Sequence, residues 1–268
     1  MNRPHGPRLS VTTLLDPRPA DDARVRPICG AVNIPFDELA RRASELPPRH
    51  APLRVAEVGP ACDEALRWLA VAQRAATKEA CFAYAQPGAA EALRLWRPNE
   101  VVEFGIQRAP AGDAADLACG VGRDAVHLKS RGWRVTALDH LPDALRMGRA
   151  LEARYAPGAP AIAWREADLE SEAPLPLQPD AFDLVVLVRF LHRPLIPRLR
   201  ELLRAGGRVV IETFTQEHRA RHGRPRREWL ALGAGELRTL LSGYCFEHYD
   251  EAWREDGSHT ARAIARRE

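Results

Sequence analysis

Lysine is almost missing from this chain of 268 residues: Lys78 and Lys129 are the only two, and arginine supplies the rest of the 39 basic side chains. Together with abundant alanine and proline, that imbalance reads as genome composition bias, so the formal net charge of +3 is no sign of a selected cationic surface. No concentrated basic stripe with interleaved aromatics is visible, and nucleic acid is not an expected partner. Cysteine is sparse. Cys29, Cys62, Cys81, Cys119 and Cys245 are odd in number and scattered, with no CxxC spacing for zinc or a redox pair, so reduced thiols are expected. Long apolar runs are lacking too. The longest uninterrupted aliphatic run in the second half is Leu184–Val188, and Met1–Arg8 leads into no apolar signal region. Hydropathy therefore gives no membrane span, and a cytoplasmic protein is expected.

What is present is apolar content of 46%, enough for real cores in one large domain or two modest ones. Period and punctuation favour two. In the first part, 11–16 predicts a strand, 17–27 a proline-rich loop and 30–34 an extended segment. A helix over 36–46 follows, stopped by Pro47 and Pro48, then a strand at 53–58 and a helix at 63–75. This small α/β module closes near Arg94, and 76–87 is its least readable stretch.

The second half alternates more plainly, with strands predicted at 114–118, 134–139, 161–165, 182–188 and 208–213 and helices at 123–130, 143–155 and 195–204. That order predicts an α/β fold with a Rossmann-like, doubly wound, mostly parallel sheet covered by helices on both faces. Asp183-Leu-Val-Val-Leu-Val188 has the continuous apolarity of a buried parallel strand. The expected division is 1–95 for the smaller domain and 96–268 for the larger.

The informative stretch is Asp116-Leu-Ala-Cys-Gly-Val-Gly122, where a strand turns through glycines into a helix opened by Arg123 and Asp124. Glycines let a backbone approach a ligand closely, but alone this also satisfies a loose dinucleotide pattern or a tight βα connection. Charge separates the ligands. A carboxylate at Asp116 repels a pyrophosphate, whereas it favours the α-ammonium and sulfonium of S-adenosylmethionine. Asp139 ends the next strand, 17 residues after Gly122, a spacing suited to ribose hydroxyls, and Asp168 ends the following strand region. Any one of the three could instead cap a helix; together they line the crevice where open α/β sheets bind ligands.

On these residues, Trp96–Glu268 resembles the class I S-adenosylmethionine-dependent methyltransferases. Asp116–Gly122 is similar to their first motif, Val135–Asp139 to the second, Ala167–Leu169 to the adenine-binding third and Phe182–Val188 to the fourth. Ala118 replaces the usual first glycine, which costs backbone freedom but adds only a methyl group. Arg189-Phe-Leu-His-Arg-Pro-Leu195 and Gly206-Gly-Arg-Val-Val-Ile-Glu-Thr-Phe214 are most similar to the small-molecule group that includes tellurite-resistance methyltransferases. The resemblance implies S-adenosylmethionine as cofactor, held by Asp116, Ala118, Cys119, Gly120, Gly122, Asp139, His140, Asp168, Leu169 and Val188. It also implies that Arg189, His192 and Arg193 face the acceptor as candidate catalytic residues. His192 could equally cap a helix or be a satisfied, partly buried side chain.

Methyl transfer is an in-line displacement at a carbon activated by the sulfonium, so alignment and desolvation of the acceptor are the enzyme's main tasks. An anionic sulfur, selenium or tellurium compound would need only cationic guidance from Arg189 and Arg193; a hydroxyl or amine would need a base, for which His192 is the candidate. A small-molecule acceptor is the expected partner. His218 and His222 stand at helical i, i+4 spacing, but no third ligand accompanies them and Gly223 with Pro225 marks a loop, so no metal is expected.

Leu14-Leu-Asp-Pro-Arg18 and Ile28-Cys-Gly-Ala-Val-Asn-Ile-Pro-Phe36 resemble the opening of rhodanese-like domains, over about residues 8–94. That family carries a cysteine nucleophile in the loop after the central strand. Within Leu53–Cys62 the matching position is Glu57, and a carboxylate cannot take up a sulfane sulfur, which implies a degenerate module. Cys62 is expected to be a buried or incidental thiol. Competing readings for the whole chain are a cofactor-binding sensor or scaffold without turnover, a nicotinamide-dependent oxidoreductase and a nucleic-acid methyltransferase.

Overall fold

The computed structural model describes residues 9–86, 92–107 and 109–268. The expectations for Met1–Arg8 and for Pro87 fall outside the described residues. The chain divides into two compact units between Arg97 and Pro98.

In the first unit, the single strand expected at 11–16 is split into β1 (Ser10–Val11) and β2 (Leu14–Asp16). Between them the Thr12 hydroxyl accepts the Leu14 amide at 3.2 Å and donates to the Gly30 carbonyl, a local turn that separates the two strands. The expected proline loop contains a short helix, α1 (Ala20–Val25), whose first turn holds Asp21 and Asp22 and whose last turn holds Arg24, a charge order that suits the helix dipole. After β3 (Ala31–Asn33), α2 (Phe36–Leu39) is shorter than predicted, and a 3-10 turn at Ala43–Glu45 follows it. Arg42 bridges Glu38 and Glu45 across that break. Then come β4 (Leu53–Ala56), α3 (Pro60–Val71), β5 (Ala76–Glu79) and β6 (Leu93–Arg94). The order β3-β2-β4-β5 is parallel throughout, and β1 pairs with β6. Leu95 belongs to this unit's core with Leu15, Val55 and Leu69, and the break falls after Arg97, two residues beyond the expected boundary.

The second unit opens with α4 (Glu100–Ile106), which the sequence pattern did not reveal; the Asn99 side chain caps it, accepting the Val101 amide at 2.9 Å. The alternation that follows is β7 (Asp113–Leu117), α5 (Arg123–Ser130), β8 (Arg134–Asp139), α6 (Pro142–Tyr155), β9 (Ala163–Glu166), β10 (Phe182–Val188) and α7 (Leu195–Leu202). The chain ends with β11 (Leu203–Phe214), α8 (Gln216–His222), α9 (Glu236–Leu240), β12 (Tyr244–Trp253) and β13 (His259–Arg267). Helix α7 stops two residues early because the strand begins at Leu203: Phe182 pairs with Leu203 and Leu184 with Arg208, so the extra residues bulge out through Gly206 at φ +78°.

The sheet order is β12-β13-β11-β10-β7-β8-β9. Strands β7 to β11 run parallel, while β13 is antiparallel to both β11 and β12. The 3-2-1-4-5-6 order of dinucleotide folds is therefore altered by one inserted, reversed strand. Leu184, Val185, Val186 and Leu187 are fully buried in the centre of the sheet. The chain leaves β7 toward β8 on one side and reaches β10 on the other, so a crevice is left at the carboxyl ends of β7 and β10. Among the described residues no helix is long and apolar enough to cross a membrane.

Candidate active site

A cavity of about 300 Å³, large enough for a small ligand, opens at the carboxyl ends of these strands. Ala118, Asp139, His140, Asp168 and Leu169 line it, so the structure brings together five residues that the sequence marks for the cofactor. Ala167, Glu170 and Phe190 complete the wall.

The loop from β7 into α5 is held by Asp139. This carboxylate, 6% exposed, accepts the Gly120 amide at 2.7 Å and the Leu141 amide at 3.0 Å. Ala118 adopts φ +52°, a left-handed backbone that glycine takes without strain. Gly120 has φ +55° and open space where a side chain would be. Gly122 serves packing instead: a Cβ there would lie 2.3 Å from the Trp164 ring, and one at Gly148 would lie 2.6 Å from it. Trp164 is fixed by donating to Glu152 at 2.7 Å, and Glu152 also receives Lys129. Burial, followed by the charges of Asp116 and Asp139, pushes the Cys119 thiol far up, so no thiolate stands in this loop. Asp168 turns its carboxylate onto the Glu170 amide at 2.9 Å, and Val188 ends β10 half-buried.

Asp116 departs from expectation. It is 3% exposed and does not line the cavity; its Oδ2 has no hydrogen-bond partner among the described residues. Burial, then the charges of Asp124 and Asp139, raise its pKa well above the ordinary carboxylate range, against one amide bond from Ala125. With that direction of shift, burial disfavours a bare charge at Asp116. A buried acceptor without a donor, flanked by two more carboxylates, is instead a place that a cationic group would stabilise. Asp124 is also raised by burial, and it accepts the Asn99 amide at 2.7 Å.

On the other side of the crevice, Arg189 follows β10 at φ +55°. Its guanidinium donates to Asp256 at 2.7 Å and lies 5.2 Å from the centre of the Phe214 ring, with 45% of the side chain exposed. Burial raises the Asp256 carboxyl, but hydrogen bonds from Ser258 and Arg189 hold it at about 2. The carbonyl of His192 accepts the Leu195 amide at the start of α7, and its half-buried ring has no hydrogen-bond partner among the described residues. Arg193 is not a free cation. It grips Glu236 and donates to the carbonyls of Trp229 and Ala231, so it braces the chain around 229–236 and has no charge left for an acceptor.

The sequence reading missed several groups here. Glu212 is fully buried at the end of β11, where it receives Arg262 and Asn99. Its signal was a lone carboxylate in the apolar run Val209-Val-Ile-Glu-Thr213. His218 lies on a helix, α8, and not in the expected loop; it stacks on Phe214 with ring centres 4.4 Å apart. Burial and the charges of His222 and Arg189 lower its pKa, and its Nδ1 accepts the His259 amide, so Nε2 carries the proton of a neutral ring. His222 donates to the Gly257 carbonyl at 2.9 Å. In the first unit, Cys62 is buried within α3 and its thiol is pushed up by burial, while Glu57 and Asp63 share Lys78 at 3.6 and 2.7 Å.

Comparison with known proteins agrees with this geometry. Residues 114–210 match the family model described as a methyltransferase domain. An uncharacterized methyltransferase of Mycobacterium bovis is 29% identical over 136 residues, 49% of this chain and 51% of that protein. An uncharacterized protein of Mycobacterium tuberculosis is 32% identical over 135 residues, 48% of this chain and 46% of its own length. The chain thus spans about half the length of the curated relatives it matches. Among solved structures, TehB from Haemophilus influenzae aligns with a TM-score of 0.51 at 20% identity, over 63% of this chain and 62% of that one. The N-methyltransferase NodS from Bradyrhizobium japonicum, solved in complex with S-adenosyl-L-homocysteine, aligns at 0.50 and 18% identity, over 63% and 84%. At such identities these structures speak for the fold. Family model and cavity coincide on one stretch of chain: residues 114–210 match a methyltransferase domain, and every residue that lines the cavity falls within them.

Proposed function

We propose that the protein transfers a methyl group from S-adenosylmethionine to a small nucleophile, with anionic sulfur, selenium or tellurium compounds as the leading class. The observation that carries this reading is the donorless, buried Oδ2 of Asp116 behind a cavity walled by Asp139 and Asp168. A cationic amino-acid group suits Asp116, and Asp139 retains lone pairs for ribose hydroxyls beyond its two amide bonds. Arg123, half-buried at the start of α5 and without an ion pair among the described residues, suits the cofactor's carboxylate; burial lowers its pKa, so an anion there is favourable. Leu169 and Phe190 offer apolar wall for the adenine. Bound, the cofactor supplies a methyl carbon already activated for displacement.

On the acceptor side the chain's own contribution is position and charge. Arg189 guides an anion, and His192, its ring unengaged among the described residues, takes the proton when the acceptor is protic. The first unit is read as a rhodanese-like module that lost its sulfur chemistry, with Cys62 buried and two carboxylates where an anion would have to sit. Thiocyanate formed from thiosulfate and cyanide, and abolished by Cys62→Ala, would overturn that part. For the main reading, S-adenosylhomocysteine is expected to raise the melting temperature while NADH does not, and labelled methyl should pass to one of a panel of thiols and oxyanions. Stabilisation by NADH alone would reverse the assignment; binding without transfer to any acceptor would leave the sensor reading.

A further inference from the structure

The chain's positive charge is concentrated in one excursion. Between β11 and Leu232 the backbone leaves the carboxyl end of β11 and returns to its starting point: the Gln216 amide donates to the Leu232 carbonyl at 2.8 Å and the Leu232 amide to the Phe214 carbonyl at 2.9 Å. Residues 216–230 hold five arginines against two glutamates, a net +3 equal to that of the whole chain, so all the rest is neutral in sum. Arg221, Arg224, Arg226 and Arg227 are exposed. Among the described residues none of the five arginines has a carboxylate within ion-pair distance, whereas Arg134, Arg189, Arg204, Arg208 and Arg262 of the same unit all do.

Aromatic surface is interleaved with this charge, although the sequence alone did not show it, because one of the rings comes from a distant strand. Trp229 is 62% exposed and Trp253 of β12 is 42% exposed. Arg227 lies 5.5 Å from the Trp229 ring centre and Arg221 lies 4.7 Å from that of Trp253. Exposed indoles beside arginine planes are surfaces on which flat bases stack, and unpaired guanidiniums alongside them neutralise a phosphate backbone. An acidic peptide would use the charge and leave the indoles idle; a lipid surface would want an amphipathic helix, and α8 has only seven residues and buries none of them.

We propose that the 216–230 excursion, together with Trp253, is a docking surface for single-stranded nucleic acid. The proposal departs from the expectation, drawn from the sequence, that nucleic acid is not a partner. It is independent of the methyl-transfer reading, since it uses none of the cavity's residues.

The test is fluorescence anisotropy of a labelled twenty-nucleotide oligouridylate with the full chain, from low to moderate salt. Micromolar binding is expected, with log K falling against log salt at a slope of about −2 to −3 for three or four phosphate contacts. Replacing Arg224, Arg226 and Arg227 together by alanine should reduce that slope by about 2, and Trp229→Ala should weaken binding about tenfold, with S-adenosylhomocysteine binding unchanged in both. No binding at low salt overturns the proposal, as does binding that ignores the arginine replacements. Tighter association with anionic phosphatidylserine vesicles than with the oligonucleotide assigns the surface to lipid and overturns it too. Binding insensitive to Trp229→Ala and matched by heparin overturns the nucleic-acid assignment in favour of charge alone.

Discussion

Replacing Ala118 with glycine should stabilise the second unit, although the same replacement almost anywhere else would weaken it. Ala118 sits at φ +52°, where an L side chain crowds its own carbonyl at a cost of about 1–2 kcal/mol. Glycine removes that strain but has more freedom to lose on folding, about 0.5–1 kcal/mol. The balance is a gain of about 0.5–1 kcal/mol, or roughly 1–4 °C for a unit of this size. Ala153, exposed inside α6, is the opposite case: glycine there should lose about 1 kcal/mol. The assay is thermal unfolding of wild type, Ala118→Gly and Ala153→Gly, following the transition that S-adenosylhomocysteine shifts. Because the Ala118 methyl lines the cavity and makes none of the loop's hydrogen bonds, affinity for that ligand should hold or improve. A melting temperature lowered by Ala118→Gly as much as by Ala153→Gly would refute the left-handed geometry of this loop and the strain assigned to it.

Asp139→Asn should cost about 1.5–3 kcal/mol in urea unfolding, because an amide cannot accept both the Gly120 and Leu141 amides, and should weaken S-adenosylhomocysteine binding by calorimetry; full stability and affinity would show that Asp139 holds neither loop nor ribose. Asp116 is raised in the folded state, so its contribution to stability is complete below about pH 4 and is lost as pH rises through the folded value. The melting temperature of Asp116→Asn should therefore gain on wild type from pH 4 to pH 7, and parallel profiles would contradict the buried, donorless environment. Gly122→Ala must displace the Trp164 ring, and loss of tryptophan fluorescence anisotropy or of stability by about 1–3 kcal/mol should report it. Arg189→Ala should lower kcat/KM for an anionic acceptor at least tenfold with ligand affinity in the cofactor cavity kept, whereas an equal loss of both would place Arg189 on the cofactor.

The parallel half of the larger sheet was legible because β7, β8 and β10 are apolar runs punctuated by glycine or proline, a pattern that only buried strands require. The β12–β13 hairpin was not, since its burial is partial along β12 and its apolar positions in β13 are mostly alanines between arginines. Helix α4 escaped because seven residues give too short a period. At the site, spacing pointed to Asp139 and Asp168, which line the cavity, but could not tell a charge lining a cavity from one buried behind it, as with Asp116. Nor could it show that Arg193 is spent on Glu236, or that Arg221 leans on Trp253, since both partners lie more than 30 residues away.

The reversed strand β13 has one further effect. Running against its neighbours, it delivers its first residue, His259, beside the carboxyl end of β11, and with it the five-residue turn from Arg254 to Ser258 that carries Asp256. The cavity is lined mainly from the ends of β7 to β9, whereas the carboxylate that holds Arg189 comes from the last quarter of the chain. On the proposed reading, evolution, or an engineer, can rewrite that turn to suit a new methyl recipient without altering any residue that lines the cavity.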